Sequence, residues 1–255
     1  MTLTLTSLPG IPLIKPGDDL ASILLSALQS ASLALADGDI LVLAQKIVSK
    51  AEGRLVNLTT VTPSPQALEV ATLTEKDPRF VELVLQESRR VVRTRPSLLI
   101  VEHRLGFVSA NAGIDHSNVE GLWGSADDWV LLLPQDPDAS AGRIRQALEQ
   151  ASQARIGVLI IDSHGRAWRN GTVGVAIGYS GMPGLVDLRG TPDLFGYRMR
   201  VTLVAAADEL AAGASLLMGQ AAESTPAIHV RGFPYPLREG GLQELIRPAE
   251  QDLFR

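Results

Sequence analysis

Five consecutive residues, Ile40-Leu41-Val42-Leu43-Ala44, carry no polar side chain. A run so short and so apolar reads as a β-strand buried on both faces, because a solvent-facing side would demand polar residues at every second position. Trp129 to Leu133 is a second buried strand, and Gly157 to Ile161 a third. Val173 to Tyr179, Arg198 to Val204 and Ala227 to Val230 add strands, and Leu98 to Val101 with Gly106 to Ser109 reads as a hairpin around His103-Arg104-Leu105. Helical spacing of apolar residues marks Leu20 to Leu35, capped by Asp18-Asp19. The same spacing marks Ala67 to Leu85, interrupted near Asp77-Pro78, then Asp138 to Gln153 and Asp208 to Leu217. Strands and helices mix without a clean βαβ alternation, so the pattern predicts an α+β fold rich in sheet and not a doubly wound Rossmann domain. The 255 residues suit one large domain or two small interlocked ones, and 45% hydrophobic residues supply an ample core.

Several function classes are disfavoured. No apolar run reaches the roughly 18–20 residues that span a bilayer. Met1-Thr2-Leu3-Thr4 lacks the basic start and apolar block of a signal peptide. Cysteine is absent, which excludes disulfides, thiolate metal sites and a cysteine nucleophile. These features point to the cytoplasm. A net charge of −5 without a basic stripe argues against nucleic acid as a partner. There is no phosphate loop of the G-x-x-x-x-G-K-[ST] kind, no G-x-G-x-x-G after a strand, no H-E-x-x-H and no G-x-S-x-G. A nucleotide, if bound, is bound by an uncommon fold.

Four stretches look chemical. Asn111-Ala112-Gly113-Ile114-Asp115-His116-Ser117-Asn118 follows a strand and is dense in small polar groups. Asp115 can hold a hard cation and Asn118 can bond a phosphate or base; an ordinary Asx-turn loop is the plain alternative. Asp162-Ser163 ends the apolar strand Gly157 to Ile161, a common way to aim a carboxylate and a hydroxyl at Mg²⁺ or Mn²⁺, or else a simple strand-ending turn. Lys46 and Lys50, two of only four lysines in an arginine-rich chain, follow the Ile40–Ala44 strand. They can place two point charges on a triphosphate, or stand as solvated loop lysines. Met218-Gly219-Gln220-Ala221-Ala222-Glu223-Ser224-Thr225-Pro226 joins a helix end to a strand; Gln220 and Glu223 offer oxygens, but the bare pattern is a turn.

Taken together and in order, these stretches resemble the coenzyme F420-0:L-glutamate ligase, or F420 γ-glutamyl ligase, family. The matching segments are Gly10-Ile11-Pro12-Leu13-Ile14, Ile47 to Gly53, Ser109 to Asp115, Ser117-Asn118, Trp168-Arg169-Asn170-Gly171, Ala176-Ile177-Gly178 and Ala207 to Ala211. The resemblance covers about residues 8 to 232. It implies a family-specific α+β fold, neither Rossmann nor P-loop, spanning 1–255 as one domain of two interlocked lobes and forming an intertwined homodimer. With the chain stopping at Arg255, the C-terminal flavin-reductase-like domain of some members is not expected. By position, the resemblance implies GTP contacts from Gly10, Ile11, Pro12 and Leu13, from Gln45, Lys46 and Lys50, from Asn118, and from Met218, Gly219, Gln220, Ala221, Ala222, Glu223, Ser224 and Thr225. It implies divalent metal, a pair of Mg²⁺ or Mn²⁺ ions, at Asp115, Asp162 and Ser163 with Gln220 nearby, and K⁺ as a further candidate. Ser163 stands where threonine is expected, with the hydroxyl kept. His116 and His164 fall at positions that look variable in the family and are given no role.

The activity implied is glutamate addition to coenzyme F420-0. GTP would phosphorylate the terminal carboxylate of the lactyl side chain, and the glutamate amine would displace phosphate from the acyl phosphate. Positioning and charge neutralisation dominate such chemistry, which suits a chain without a nucleophilic triad. Two other readings use the same acidic loops: a metal-dependent GTP phosphohydrolase, and a non-enzymatic nucleotide-binding protein.

Overall fold

In the computed structural model, which describes residues 2–252, the Ile40–Ala44 run is the central strand of a five-stranded sheet. In chain order the elements are β1 (Thr4–Ser7), α1 (Leu20–Ser30), β2 (Ile40–Ala44), α2 (Gln45–Ala51), β3 (Leu55–Asn57), α3 (Pro65–Thr74) and α4 (Pro78–Gln86). There follow β4 (Ser88–Arg95), β5 (Leu98–His103), β6 (Val108–Ala110), β7 (Trp129–Leu131), α5 (Pro137–Ser152), β8 (Gly157–Gly165) and β9 (Thr172–Ser180). The last are β10 (Val186–Asp187), β11 (Leu203–Val204), α6 (Ala206–Met218) and β12 (Ala227–Arg231).

The main sheet runs β1-β12-β2-β8-β9, with β2 and β8 parallel and every other neighbour antiparallel. Ile40, Leu41, Val42 and Leu43 have no exposed surface. Leu41 and Leu43 join the core formed with α1 and α5, while Ile40 and Val42 join the core under α6. Full burial of four such side chains is worth about 6–12 kcal/mol in transfer free energy, so this strand fixes the centre of the sheet. A second lobe is inserted between β2 and β8. It holds the sheet β4-β5-β6, the pair β3-β7, and α3 and α4 around a third core. With one parallel pair and several small sheets, the fold is a mixed α/β arrangement and not a doubly wound one.

Several boundaries differ from the sequence expectation. Asp19 caps α1 as expected, accepting from the Ala21 and Ser22 amides, but the helix stops at Ser30 and not Leu35. Ser32 has φ 55°, and the Leu33 amide returns to the Leu28 carbonyl at 2.9 Å. Leu33 and Leu35 still pack on the same core, so their spacing continues the apolar pattern past the helix end. The interruption at Asp77-Pro78 is a complete break into α3 and α4, each with a side-chain cap and a proline in its first turn. Strand β4 was not legible, because Arg89, Arg90, Arg93 and Arg95 give an edge strand a polar reading. Of the strand expected at Arg198 to Val204, Leu203–Val204 forms a ladder with Val186–Asp187, and Arg198 makes only an isolated antiparallel bridge to Pro192. The rest belongs to a turn-rich arm from 188 to 202 on which Leu194, Phe195 and Val201 are almost wholly exposed.

Candidate functional site

After Ala44 the chain turns directly from β2 into α2. Lys46 and Lys50 are therefore not loop residues; four positions apart on a helix, they share one face. Gln45 is buried and works as a clamp. Its Nε2 donates to Asp115 Oδ2 at 2.6 Å, and its Oε1 accepts from Ser49 Oγ at 2.9 Å. Lys46 Nζ forms an ion pair with the same Asp115 oxygen and lies 3.3 Å from the Ser117 carbonyl. Lys50 Nζ donates to the Asn118 carbonyl at 2.8 Å. Burial, reinforced by the neighbouring Lys46 charge and opposed by Glu120, pulls the Lys50 pKa below its ordinary value. Two partly desolvated ammonium groups on one helix face form a site that an anion would relieve.

Asp115 is aimed by its backbone. Its amide and carbonyl pair with Leu131 at 2.9 and 2.8 Å, joining the residue to β7. The turn before it has three successive residues in the left-handed region: Asn111 at φ 53°, Ala112 at 54° and Gly113 at 66°. A side chain at Gly113 would meet Leu133 Cδ1 at 2.8 Å, so this turn needs both the conformation and the space of glycine. Burial raises the Asp115 pKa; Lys46 opposes the shift and the nearby charge of Asp162 adds to it.

Asp162 does not end a strand, as the sequence had suggested. Strand β8 continues to Gly165, with Asp162 opposite Val175 and Ser163 opposite Gly174. Strand β2, however, leaves the sheet at Ala44, opposite Ile161, so from Asp162 onward no described strand lies beside that edge of β8. Alternation puts Asp162 and Ser163 on opposite faces. A Cβ on Gly174 would lie 2.5 Å from the Ala211 carbonyl oxygen and from Ser215 Cβ, so Ser163 faces the α6 side and Asp162 the α2 side. On the Asp162 side, His164 Nε2 lies 3.1 Å from Asp162 Oδ2.

The loop after α6 closes the cluster. Asn118 Nδ2 donates to the Ala221 carbonyl at 3.1 Å, tying the Asp115 loop to the 218–225 loop. Met218 is buried, Gly219 ends the helix at φ 71°, and Glu223 folds back over that glycine to accept from the Ala221 amide at 2.8 Å. Ser224 Oγ and Thr225 Oγ1 bond carbonyls of Ala222 and Glu223 within the loop. Gln220 bonds Ser215 Oγ at 3.3 Å and has no hydrogen bond to either aspartate. Gly10, Ile11, Pro12 and Leu13 run between two anchors. Leu8 donates to the Ala227 carbonyl, and Gly17 donates to the Ala51 carbonyl at the end of α2. Leu13 is 77% exposed. His116 is exposed and bridges nothing in the cluster.

Among the described residues no group of three or more histidine, aspartate or glutamate side chains converges on one point. The donors on the α2 side are the two carboxylates, while the Ser163 hydroxyl lies on the α6 side of β8 and Gln220 bonds Ser215. That hard-oxygen set suits Mg²⁺ or Mn²⁺, which commonly take one or two carboxylates and complete their shell with water and phosphate oxygens. Oδ1 of both Asp115 and Asp162 accepts no hydrogen bond from the described residues, which leaves one oxygen of each for a cation. Sequence reasoning had named Gln45 but not its clamp on Asp115, and had passed over His164. Extending β8 by three residues would have put His164 beside Asp162 by simple alternation.

Comparison with known proteins agrees with the resemblance. The family model described as F420-0:Gamma-glutamyl ligase matches residues 10–232. A coenzyme F420:L-glutamate ligase of Methanothermobacter thermautotrophicus is 46% identical over 257 residues, covering all of both chains. Proteins of that description from Methanopyrus kandleri and Methanocaldococcus jannaschii are 43% and 41% identical, over 100% and 96% of this chain and 98% and 94% of their own. The chain belongs to the F420-0:gamma-glutamyl ligase family.

Proposed function

We propose that this protein joins L-glutamate to coenzyme F420-0 and uses GTP to activate the acceptor carboxylate. The observation that carries the reading is the meeting of Lys46, Lys50, Asp115 and Asn118 at the end of a central strand, within a chain matched along its full length by ligases of this description. A carboxylate is a poor acylating agent until one oxygen becomes a leaving group. In the proposed reaction that oxygen attacks the γ-phosphorus of GTP and GDP departs. The glutamate amine then attacks the acyl carbon, an amide forms and phosphate leaves with the oxygen.

The residues divide this work by charge. Lys46 and Lys50 neutralise the triphosphate, a task favoured by their shared helix face and by the relief an anion gives to Lys50. Asn118 and the Met218–Thr225 loop form one wall of the nucleotide site, and Gly10 to Leu13 lies by the far end of α2. Asp115, Asp162 and Ser163 would hold the divalent ions, with the Ser163 side chain on the face of β8 opposite to Asp162. A bound Mg²⁺ or Mn²⁺ supplies positive charge to the phosphate oxygens.

We further read the protein as a homodimer. The arm from 188 to 202 carries Leu194 at 97% and Phe195 at 94% exposure, and apolar groups presented in this way call for a partner surface. No described helix is long and apolar enough to cross a membrane. Mass spectrometry after incubation with F420-0, glutamate, GTP and Mn²⁺ tests the activity: a gain of glutamyl units with GDP release is expected. GTP hydrolysis indifferent to glutamate would favour a phosphohydrolase, and GTP binding without turnover a binding protein.

A further inference from the structure

Outside the groups already given roles, one side chain is held against the site with unusual care. His164 lies two residues beyond Asp162 on β8, and the even alternation of the strand puts both on the face that α2 covers. Its Nε2 is 3.1 Å from Asp162 Oδ2. A carboxylate oxygen is the acceptor in such a contact, which makes the ring nitrogen the donor. The ring has little freedom to leave: 10% of the side chain is exposed. Phe107 packs on it at 5.1 Å between centroids, and His103 in turn stacks on Phe107 at 4.9 Å with the rings 7° from parallel. His103 is fully buried and accepts the Leu105 amide on Nδ1 at 3.0 Å. A fixed column of three rings thus runs from the inserted lobe to the Asp162 carboxylate.

We infer that His164 is a positioning residue that fixes the Asp162 carboxylate for a divalent cation, braced from behind by Phe107 and His103. Its hydrogen bond occupies Oδ2, restrains rotation of the carboxylate, and leaves Oδ1, which has no described hydrogen-bond donor, for a cation. Partners that orient metal-ligating carboxylates in this way are worth about 10- to 100-fold in metal affinity. The inference rests on the reading of Asp162 as a metal ligand, and the test separates the two.

Binding of Mn²⁺ alone to the full chain is followed by the loss of the free-ion electron paramagnetic resonance signal. Asp162→Asn is expected to abolish the Asp162-dependent binding. His164→Phe, which can still pack on Phe107, is expected to weaken it about 10-fold. His164→Gln, which keeps an N–H donor, should recover most of the loss, and His164→Phe should have no further effect in an Asp162→Asn background. Wild-type Mn²⁺ affinity in His164→Phe, with binding lost in Asp162→Asn, would overturn the role of His164 and leave Asp162 as a ligand. Failure of His164→Gln to restore binding would overturn the hydrogen-bond account. Unchanged binding in Asp162→Asn would overturn both readings.

Discussion

Replacing Asp39 with asparagine should destabilise the protein by about 3–5 kcal/mol while leaving the candidate site chemically intact. Asp39 immediately precedes β2 and is 1% exposed. Its Oδ2 accepts from His229 Nε2 at 2.8 Å, Arg231 Nη2 at 2.7 Å and the Ala36 amide at 2.9 Å, while Oδ1 accepts from Arg231 Nε at 2.9 Å. Its carbonyl accepts from Gly157 at 2.9 Å, so one residue ties the starts of β2 and β8 to the end of β12. Asparagine keeps the volume but removes the charge and turns an N–H₂ towards groups that are themselves donors. His229, 2% exposed, then has no carboxylate and little access to water, and most of the cost arises there. Arg231, with 48% of its side chain exposed, recovers hydration, which sets the estimate towards the lower end of the range. For a chain of this size the loss corresponds to a fall in Tm of roughly 6–20 °C.

The acid dependence of stability is a second reading of the same contact. Burial alone would raise the Asp39 pKa, but hydrogen bonds from Arg231 and His229 outweigh it and the carboxyl titrates below its ordinary value. A depressed folded pKa gives stabilisation that is complete above the unfolded value near 3.9 and is lost as pH falls through the folded value. Urea unfolding at pH 7, repeated down to pH 3, measures both effects. The variant should start lower and lose less on acidification. A cost below about 1 kcal/mol at pH 7, or an unchanged acid slope, would refute the reasoning.

Lys50→Ala should weaken GTP binding roughly 10- to 150-fold, the value of a charge-assisted contact of about 1.5–3 kcal/mol, with the fold retained; calorimetry giving wild-type affinity would remove Lys50 from the nucleotide site. Asp115→Asn and Asp162→Asn should each abolish ligation without unfolding the chain, as judged by product mass and circular dichroism. Because the folded pKa of Asp115 is raised, its contribution to stability falls as pH rises from the unfolded value through the folded one. Asp115→Asn should therefore hold or raise the Tm of the metal-free protein at pH 7, and a marked drop would contradict that sign. Light scattering at micromolar concentration should give a dimer, and Phe195→Glu on the exposed arm should shift it towards monomer; a wild-type monomer would refute the role of the arm.

Much was legible because local physics wrote it. Ile40 to Ala44 reads as a doubly buried strand because it carries no polar side chain, and Asp19 announces a helix start through the oxygen it gives to orphan amides. The order of small motifs was enough to place the chain in its family. The tertiary structure decided what adjacency along the chain cannot encode. Asp115 and Asp162, 47 positions apart, feel each other's charge although one is bridged to β7 of the inserted lobe and the other lies on β8 of the main sheet. Strand β8 runs on through Asp162, Ser163 and His164 because β9 pairs with it there, and pairing is a property of two segments that no single segment reveals. For the same reason Arg198 to Met199, strand-like in composition, remain outside any extended ladder, and Lys46 and Lys50 acquire their common face only because β2 yields to a helix at Ala44. Propensity acts over a few residues, whereas partners, faces and desolvation are fixed by contacts between residues far apart in the chain.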